Sequence, residues 1–259
     1  MSDTHREGLA VLVYGITRRK GFLLLTGEVG TGKTTLLRAA LAQIPRNTDT
    51  ALILNTTDLA SMDLLKLIAA EFGFDGQMNS KADCLIALNR MLLERLRSGR
   101  NTVLIIDEAQ NLSEAALEEI RLLSNLETDT QKLMQIVLTG QPELLTVLDQ
   151  PNLRQLRQRI AVEHHMQPLE PEDVGAYLAH RIEVAGGSYS EIFKPEVEPT
   201  FYWFSAGCPR LISLLADRVM LAAYSRQMRP ITAEFVESKA RSMSAIRGAG
   251  LNDDLGMGG

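Results

Sequence analysis

Eight residues near the start of the chain have the composition of a phosphate cradle. Gly27-Glu28-Val29-Gly30-Thr31-Gly32-Lys33-Thr34 fits the pattern G-x-x-x-x-G-K-[ST], the P-loop. Glycines let the backbone curl so that successive N–H groups aim inward at phosphate oxygens. A helix beginning near Lys33 adds the positive end of its dipole. Lys33 supplies a cation for β- and γ-phosphates, and Thr34 supplies a hydroxyl for Mg²⁺. The plain alternative is a glycine-rich turn, but the motif sits between an apolar run and a helical pattern, where a phosphate loop belongs.

A second group lies further along. Val103-Leu104-Ile105-Ile106 ends in Asp107-Glu108. Four apolar residues predict a buried strand that delivers two carboxylates to the sheet edge where open α/β sheets bind ligands. Asp107 suits Mg²⁺, directly or through water, and Glu108 suits a water that attacks a γ-phosphate. Alone, the two acids would read as a solvated loop; behind a P-loop they read as its partner.

Both groups need strands and helices to hold them. The apolar spacing predicts a helix over 6–18, strands at 22–26, 51–54, 103–106, 133–139 and 160–166, and helices between them. Ser80 with Asp83 reads as a capping box for the helix at 81–98, Ser113 as the N-cap of the helix from Glu114, and Pro142 as the start of a short helix. After Pro168 only helical patterns follow, at about 171–185, 195–205, 209–226 and 232–243. Alternation followed by helices alone predicts an α/β part with a mainly parallel sheet, then an all-α part. The expected boundaries are 1–167 and 168–247, with the glycine-rich tail 248–259 expected to be disordered.

The chain has 259 residues, with 45% hydrophobic and 23% charged residues, as in an ordinary globular protein. Its net charge is −5, and neither part is a basic nucleic-acid module on charge alone. Cys84 and Cys208 are too few for a disulfide framework, which points to a reducing compartment. No apolar run approaches the ~18 residues of a membrane span. These features predict a cytoplasmic protein.

The sequence resembles the AAA+ ATPases, and within them the general secretion pathway protein A (ExeA-like) group, over about residues 5–245. The matching stretches are His5-Arg6-Glu7-Gly8-Leu9, the P-loop from Leu25 through Thr35, Ile106-Asp107-Glu108-Ala109-Gln110, Leu138-Thr139-Gly140-Gln141-Pro142-Glu143-Leu144 and Gly207-Cys208-Pro209-Arg210-Leu211-Ile212. The related TniB/TnsC-like ATPases accompany transposases. The resemblance implies a P-loop NTPase with a five-stranded αβα sandwich and a helical lid. It implies ATP with Mg²⁺, hydrolysis of ATP at an inter-subunit site, and a homo-oligomeric ring or filament. A protein partner in secretion or envelope assembly is the first implied output, with a place at the inner membrane through that partner. A regulator assembling on DNA is the second, and a nucleotide switch with little turnover the third.

The same resemblance assigns further residues. Gly27 through Thr35 hold the nucleotide. Thr139 takes the sensor-1 position, contacting the γ-phosphate or attacking water. Asn55 takes the position that restrains the catalytic glutamate, although asparagine is also a common turn residue. Among Arg154, Arg157 and Arg159, Arg159 in Gln158-Arg159-Ile160 best matches the finger that reaches a neighbour's nucleotide; a solvated helix face is the plain alternative. Arg210 matches the sensor-2 arginine. It also breaks a local rule, because a cation in a helix's first turn opposes the dipole by roughly 0.3–1 kcal/mol.

Two features point elsewhere and are set aside. His164 and His165 are neighbours on a strand and face opposite ways, so they do not share one ion. Phe201-Tyr202-Trp203-Phe204 reads mostly as core.

Overall fold

Apolar residues at every position of a strand predict a sheet covered on both faces, and the computed structural model shows one. It describes residues 2–54, 60–129 and 131–253, with the backbone alone from 244. Two units emerge: Thr4–Val29 with Lys33–Met166, and the chain from Gln167, with which Gly30–Gly32 are counted.

In the larger unit the elements run α1 (Asp3–Thr17), β1 (Phe22–Gly27), α2 (Lys33–Leu41), β2 (Thr48–Ile53), α3 (Ser61–Glu71), α4 (Lys81–Arg97), β3 (Asn101–Ile106), α5 (Glu114–Leu123), β4 (Gln135–Gly140), α6 (Glu143–Leu148), α7 (Arg154–Arg157) and β5 (Ile160–Met166). The strands form one sheet in the order β2-β3-β4-β1-β5, and every pairing is parallel. Strand side chains alternate between faces. Phe22, Leu24, Leu104, Ile106, Ile136 and Leu138 therefore pack with α3, α4, α5 and α6. Leu23, Leu25, Val103, Ile105 and Val137 pack with α1 and α2. Truncating one such fully buried residue, as in Ile105→Ala, costs about 2–5 kcal/mol.

Local signals set several boundaries. Ser80 Oγ accepts the Asp83 N–H at 3.2 Å, and Asp83 Oδ2 accepts the Ser80 N–H at 2.9 Å, closing the expected capping box. Ser113 Oγ accepts the Ala116 N–H at 3.2 Å at the head of α5. Strand β2 begins earlier than its apolar run, at Thr48, because the ladder with β3 pairs Thr48 with Asn101 and Asp49 with Thr102. There backbone pairing, rather than apolar pattern, decides.

The smaller unit holds α8 (Asp173–Val184), α9 (Tyr189–Ile192), α10 (Glu198–Ser205), α11 (Pro209–Ser225) and α12 (Ala233–Asp253). Its core gathers Val174, Leu178, Phe193, Phe201, Ile212, Leu215, Val219 and Val236. Phe193 and Phe201 meet edge to face, with ring centroids 5.6 Å apart. Of the four consecutive aromatics, Phe201 is buried, Tyr202 and Phe204 are half-buried, and Trp203 is exposed. One expectation is corrected. The helix placed at 195–205 splits into a 3-10 turn, Pro195–Val197, and α10. Helix α12 is described through Asp253, and residues 254–259 of the expected tail lie outside the described residues.

Candidate active site

Strands β3, β4 and β1 are neighbours in that order, so the residues leaving their C-terminal ends stand side by side. Those residues are Asp107 and Glu108 after β3, Thr139 within the last turn of β4's ladder, and the P-loop after β1. Gly30 (φ 84°) and Gly32 (φ 101°) take the left-handed backbone that the phosphate loop needs and that side chains resist.

Lys33 opens α2 and is only 6% exposed. Its ammonium donates to Gly27 O at 2.7 Å and to Glu28 O at 3.1 Å, closing the loop on itself. Burial pushes its pKa below the ordinary 10.5, and the charges of Glu108 and Asp107 work against that fall. Thr34 Oγ1 donates to Asp107 Oδ2 at 3.0 Å. Thr139 Oγ1 donates to Asp107 Oδ1, and the Glu108 N–H donates to the same oxygen at 3.0 Å. Asp107 is thus a buried carboxylate held by two hydroxyls and one amide. A hydroxyl and a carboxylate oxygen converging beside a buried ammonium form the hard, oxygen-rich donor set that Mg²⁺ prefers, so these residues fit the expected ion.

Glu108 lies in left-handed backbone, φ 52° and ψ 41°, ahead of a 3-10 turn at Ala109–Asn111. For a residue with a Cβ this costs about 1–2 kcal/mol. Such strain gathers at functional sites, where the surroundings over-determine it. The carboxylate of Glu108 is held by two glutamines. Gln110 Nε2 donates to Glu108 Oε2 at 2.5 Å, and Gln141 Nε2 donates to the same oxygen at 3.3 Å. Sequence reading quoted both glutamines only as parts of matching stretches. Nothing in their spacing shows that two residues 31 apart join on one carboxylate.

The remaining expected residues fall as follows. Glu28, Val29 and Thr35 are exposed and Thr31 is buried. Arg159 is half-buried, and its guanidinium donates to Arg121 O at 3.1 Å and to Ser124 Oγ at the C-terminal end of α5. Arg157 instead pairs with Glu163 at 2.7 Å and Asp149 at 3.3 Å. Arg210 stands exposed in the first turn of α11 in the smaller unit. Asn55 lies outside the described residues. His165 Nδ1 shares a hydrogen bond with Thr26 Oγ1 at 2.9 Å, and His164 is buried beside it. Among the described residues no group of three or more His, Cys, Asp or Glu is arranged for a metal, and no helix is long and apolar enough to cross a membrane.

Comparison with known proteins agrees with this architecture. Residues 16–148 match the family model described as an AAA domain. The chain is 46% identical over 251 residues to general secretion pathway protein A of Aeromonas hydrophila, covering 96% of this chain and 46% of that protein. The chain thus spans less than half the length of that relative. Among solved structures, the Aeropyrum pernix ORC2 protein, in ADPNP–ADP complexes, superposes with a TM-score of 0.66 at 15% identity, covering 92% of this chain and 66% of that one. The Thermotoga maritima RuvB Holliday junction branch migration motor gives 0.59 at 16% identity, covering 93% and 69%. At such identities the likeness is one of fold.

Proposed function

This chain belongs to the AAA domain family, and we propose that it is an ATPase that binds ATP on Gly27–Thr35 and hydrolyses it. The observation that carries this reading is the convergence of Lys33, Thr34, Asp107, Glu108 and Thr139 at adjoining strand ends. Lys33 would exchange its two loop carbonyls for β- and γ-phosphate oxygens. Thr34 and Asp107 would hold Mg²⁺, which supplies positive charge to the phosphate oxygens when bound. Glu108 would take the proton of the attacking water, and Thr139, already tied to Asp107, would keep that carboxylate aimed.

Arg159 belongs to the reading as the cation offered to a neighbouring subunit's nucleotide. Its guanidinium would exchange the α5 partners for phosphate oxygens, and a finger supplied in trans makes turnover depend on assembly. Arg210 would report the nucleotide to the helical part, and that part would act as the lid. Asn55 remains proposed as a restraint on Glu108. The output most in keeping with the relative from Aeromonas hydrophila is a cytoplasmic engine for a secretion or envelope-assembly partner.

The test is ATP turnover per subunit against protein concentration, for the wild type, Glu108→Gln and Arg159→Ala, with and without duplex DNA. Turnover that rises with concentration and disappears in both variants supports the reading. Turnover independent of concentration that survives Arg159→Ala removes the finger. Strong stimulation by DNA moves the output to a DNA-assembled regulator. ATP binding without turnover under every condition moves it to a switch.

A further inference from the structure

The proposed water-activating carboxylate is not left to its own rotamers. Its Oε2 collects amide protons from Gln110 (2.5 Å) and Gln141 (3.3 Å). The orientation of the Gln110 amide follows from a third contact. The Gln141 backbone N–H, which can only donate, meets Gln110 Oε1 at 3.1 Å. The Gln110 oxygen must therefore face Gln141, which turns its NH₂ towards Glu108. A fourth observation concerns space. A Cβ built on Gly140 would lie 2.7 Å from Gln110 Oε1, so the absence of a side chain at 140 admits the Gln110 amide. Gly140 and Gln141 leave the end of β4, and Gln110 lies in the 3-10 turn after Glu108. The three thus join two neighbouring strand ends through the carboxylate.

We infer that Gln110 and Gln141 are positioning residues that aim Glu108 at the attacking water, an inference that rests on the reading of Glu108 above. The physical need is plain. Glu108 stands on strained backbone, and a long acid on a short turn has several rotamers. Two neutral donors on one oxygen fix the carboxylate without neutralising it, and misplacement by ~1 Å can cost about 100-fold in rate.

Gln110→Glu is the informative variant. It keeps the size of the side chain and an oxygen for the Gln141 N–H, but it replaces the donor facing Glu108 with a second carboxylate. We expect kcat to fall at least about tenfold in Gln110→Glu, with a smaller fall in Gln141→Leu. The KM for ATP and the binding of a fluorescent ATP analogue should stay within about twofold. A second readout needs no nucleotide. In denaturant unfolding of the free protein, Gln110→Glu loses stability. The double variant Glu108→Gln/Gln110→Glu restores one donor and one acceptor and should regain most of the loss, a coupling that shows the pair, while the fall in kcat at unchanged KM separates positioning from a merely structural role.

The outcomes separate. Hydrolysis that survives Glu108→Gln overturns the reading of Glu108 itself. Loss of hydrolysis in Glu108→Gln, together with wild-type or raised kcat in Gln110→Glu and Gln141→Leu, overturns the positioning role alone. Additive stability effects in the double variant also overturn it. Should Gln110→Glu fail to fold alone, recovery in the double variant supports the pairing, and Gln141→Leu carries the kinetic test.

Discussion

The Thr34 hydroxyl donates to Asp107 Oδ2 at 3.0 Å, tying the first turn of α2 to the end of β3. The P-loop threonine and the strand-end acid are thus a directly hydrogen-bonded pair. Because Asp107 is 4% exposed, each donor it loses is felt. Thr34→Ala should cost the free protein about 1–3 kcal/mol in denaturant unfolding. ATP turnover should fall in the same variant by at least about 100-fold. Full stability together with lost turnover would show that the two residues meet only through the ion.

The Arg159 guanidinium donates to one carbonyl, Arg121 O, and one hydroxyl, Ser124 Oγ, at the end of α5. Arg159→Lys keeps a cation near that helix end and should fold with wild-type stability. It loses the planar fork that spans phosphate oxygens, so turnover should still drop by about 10³-fold or more. Mixing Arg159→Ala subunits with Glu108→Gln subunits gives the decisive check. If each site borrows its arginine from a neighbour, the mixture recovers activity that neither variant has alone.

Residues 206 and 207 are adjacent and should respond in opposite directions to exchange. Ala206 ends α10 in left-handed backbone, φ 46°, with its side chain exposed. Ala206→Gly should stabilise the protein by about 0.5–1 kcal/mol, since glycine adopts that backbone without penalty. Gly207 has φ 75°, and a Cβ there would sit 2.0 Å from Leu169 O. Gly207→Ala should therefore destabilise by more than about 3 kcal/mol, because the obstacle is backbone. Thermal melts of both variants check the sign of each change.

Asp49 on β2 accepts from Arg100 Nε at 2.7 Å and lies 3.4 Å from Arg95 Nε. The hydrogen bond from Arg100, aided by the charges of Arg95 and Arg100, holds its pKa below the ordinary 3.8 against the opposing effect of burial. The folded value is the depressed one. The stabilisation is thus complete above the unfolded value and fades as pH falls through the folded one. Asp49→Asn should lose at most about 1 kcal/mol at pH 7, a figure reduced for solvent screening. The loss should stay constant down to about pH 5 and shrink below about pH 3.8. Denaturant midpoints of the two proteins across pH 3–7 measure the closing gap.

Much of this was legible in the residues. The P-loop and Ile106-Asp107-Glu108 declare themselves because phosphate and metal chemistry demand fixed residue types at short spacing. The strands declare themselves because a sheet buried on both faces leaves only apolar runs. The two glutamines did not, because their role arises from where β3 and β4 end in space. The left-handed backbone of Glu108 was equally silent, since no glycine or asparagine announces it. Strand β2 was placed too late for a similar reason: its first residues, Thr48 to Thr50, are polar and are recruited by the ladder with β3.

The sheet order has a consequence for synthesis. Strand β1 pairs with β4 on one side, Phe22 to Ile136, and with β5 on the other, Phe22 to Ile160. Both partners leave the ribosome more than a hundred residues after it. At roughly 5–20 residues per second, Phe22-Leu23-Leu24-Leu25 waits on the order of ten seconds without either neighbour. The phosphate loop that follows this strand is translated well before the two strands that frame it. Until β4 arrives, the nascent chain carries a bare apolar strand that it must shield or surrender to a chaperone.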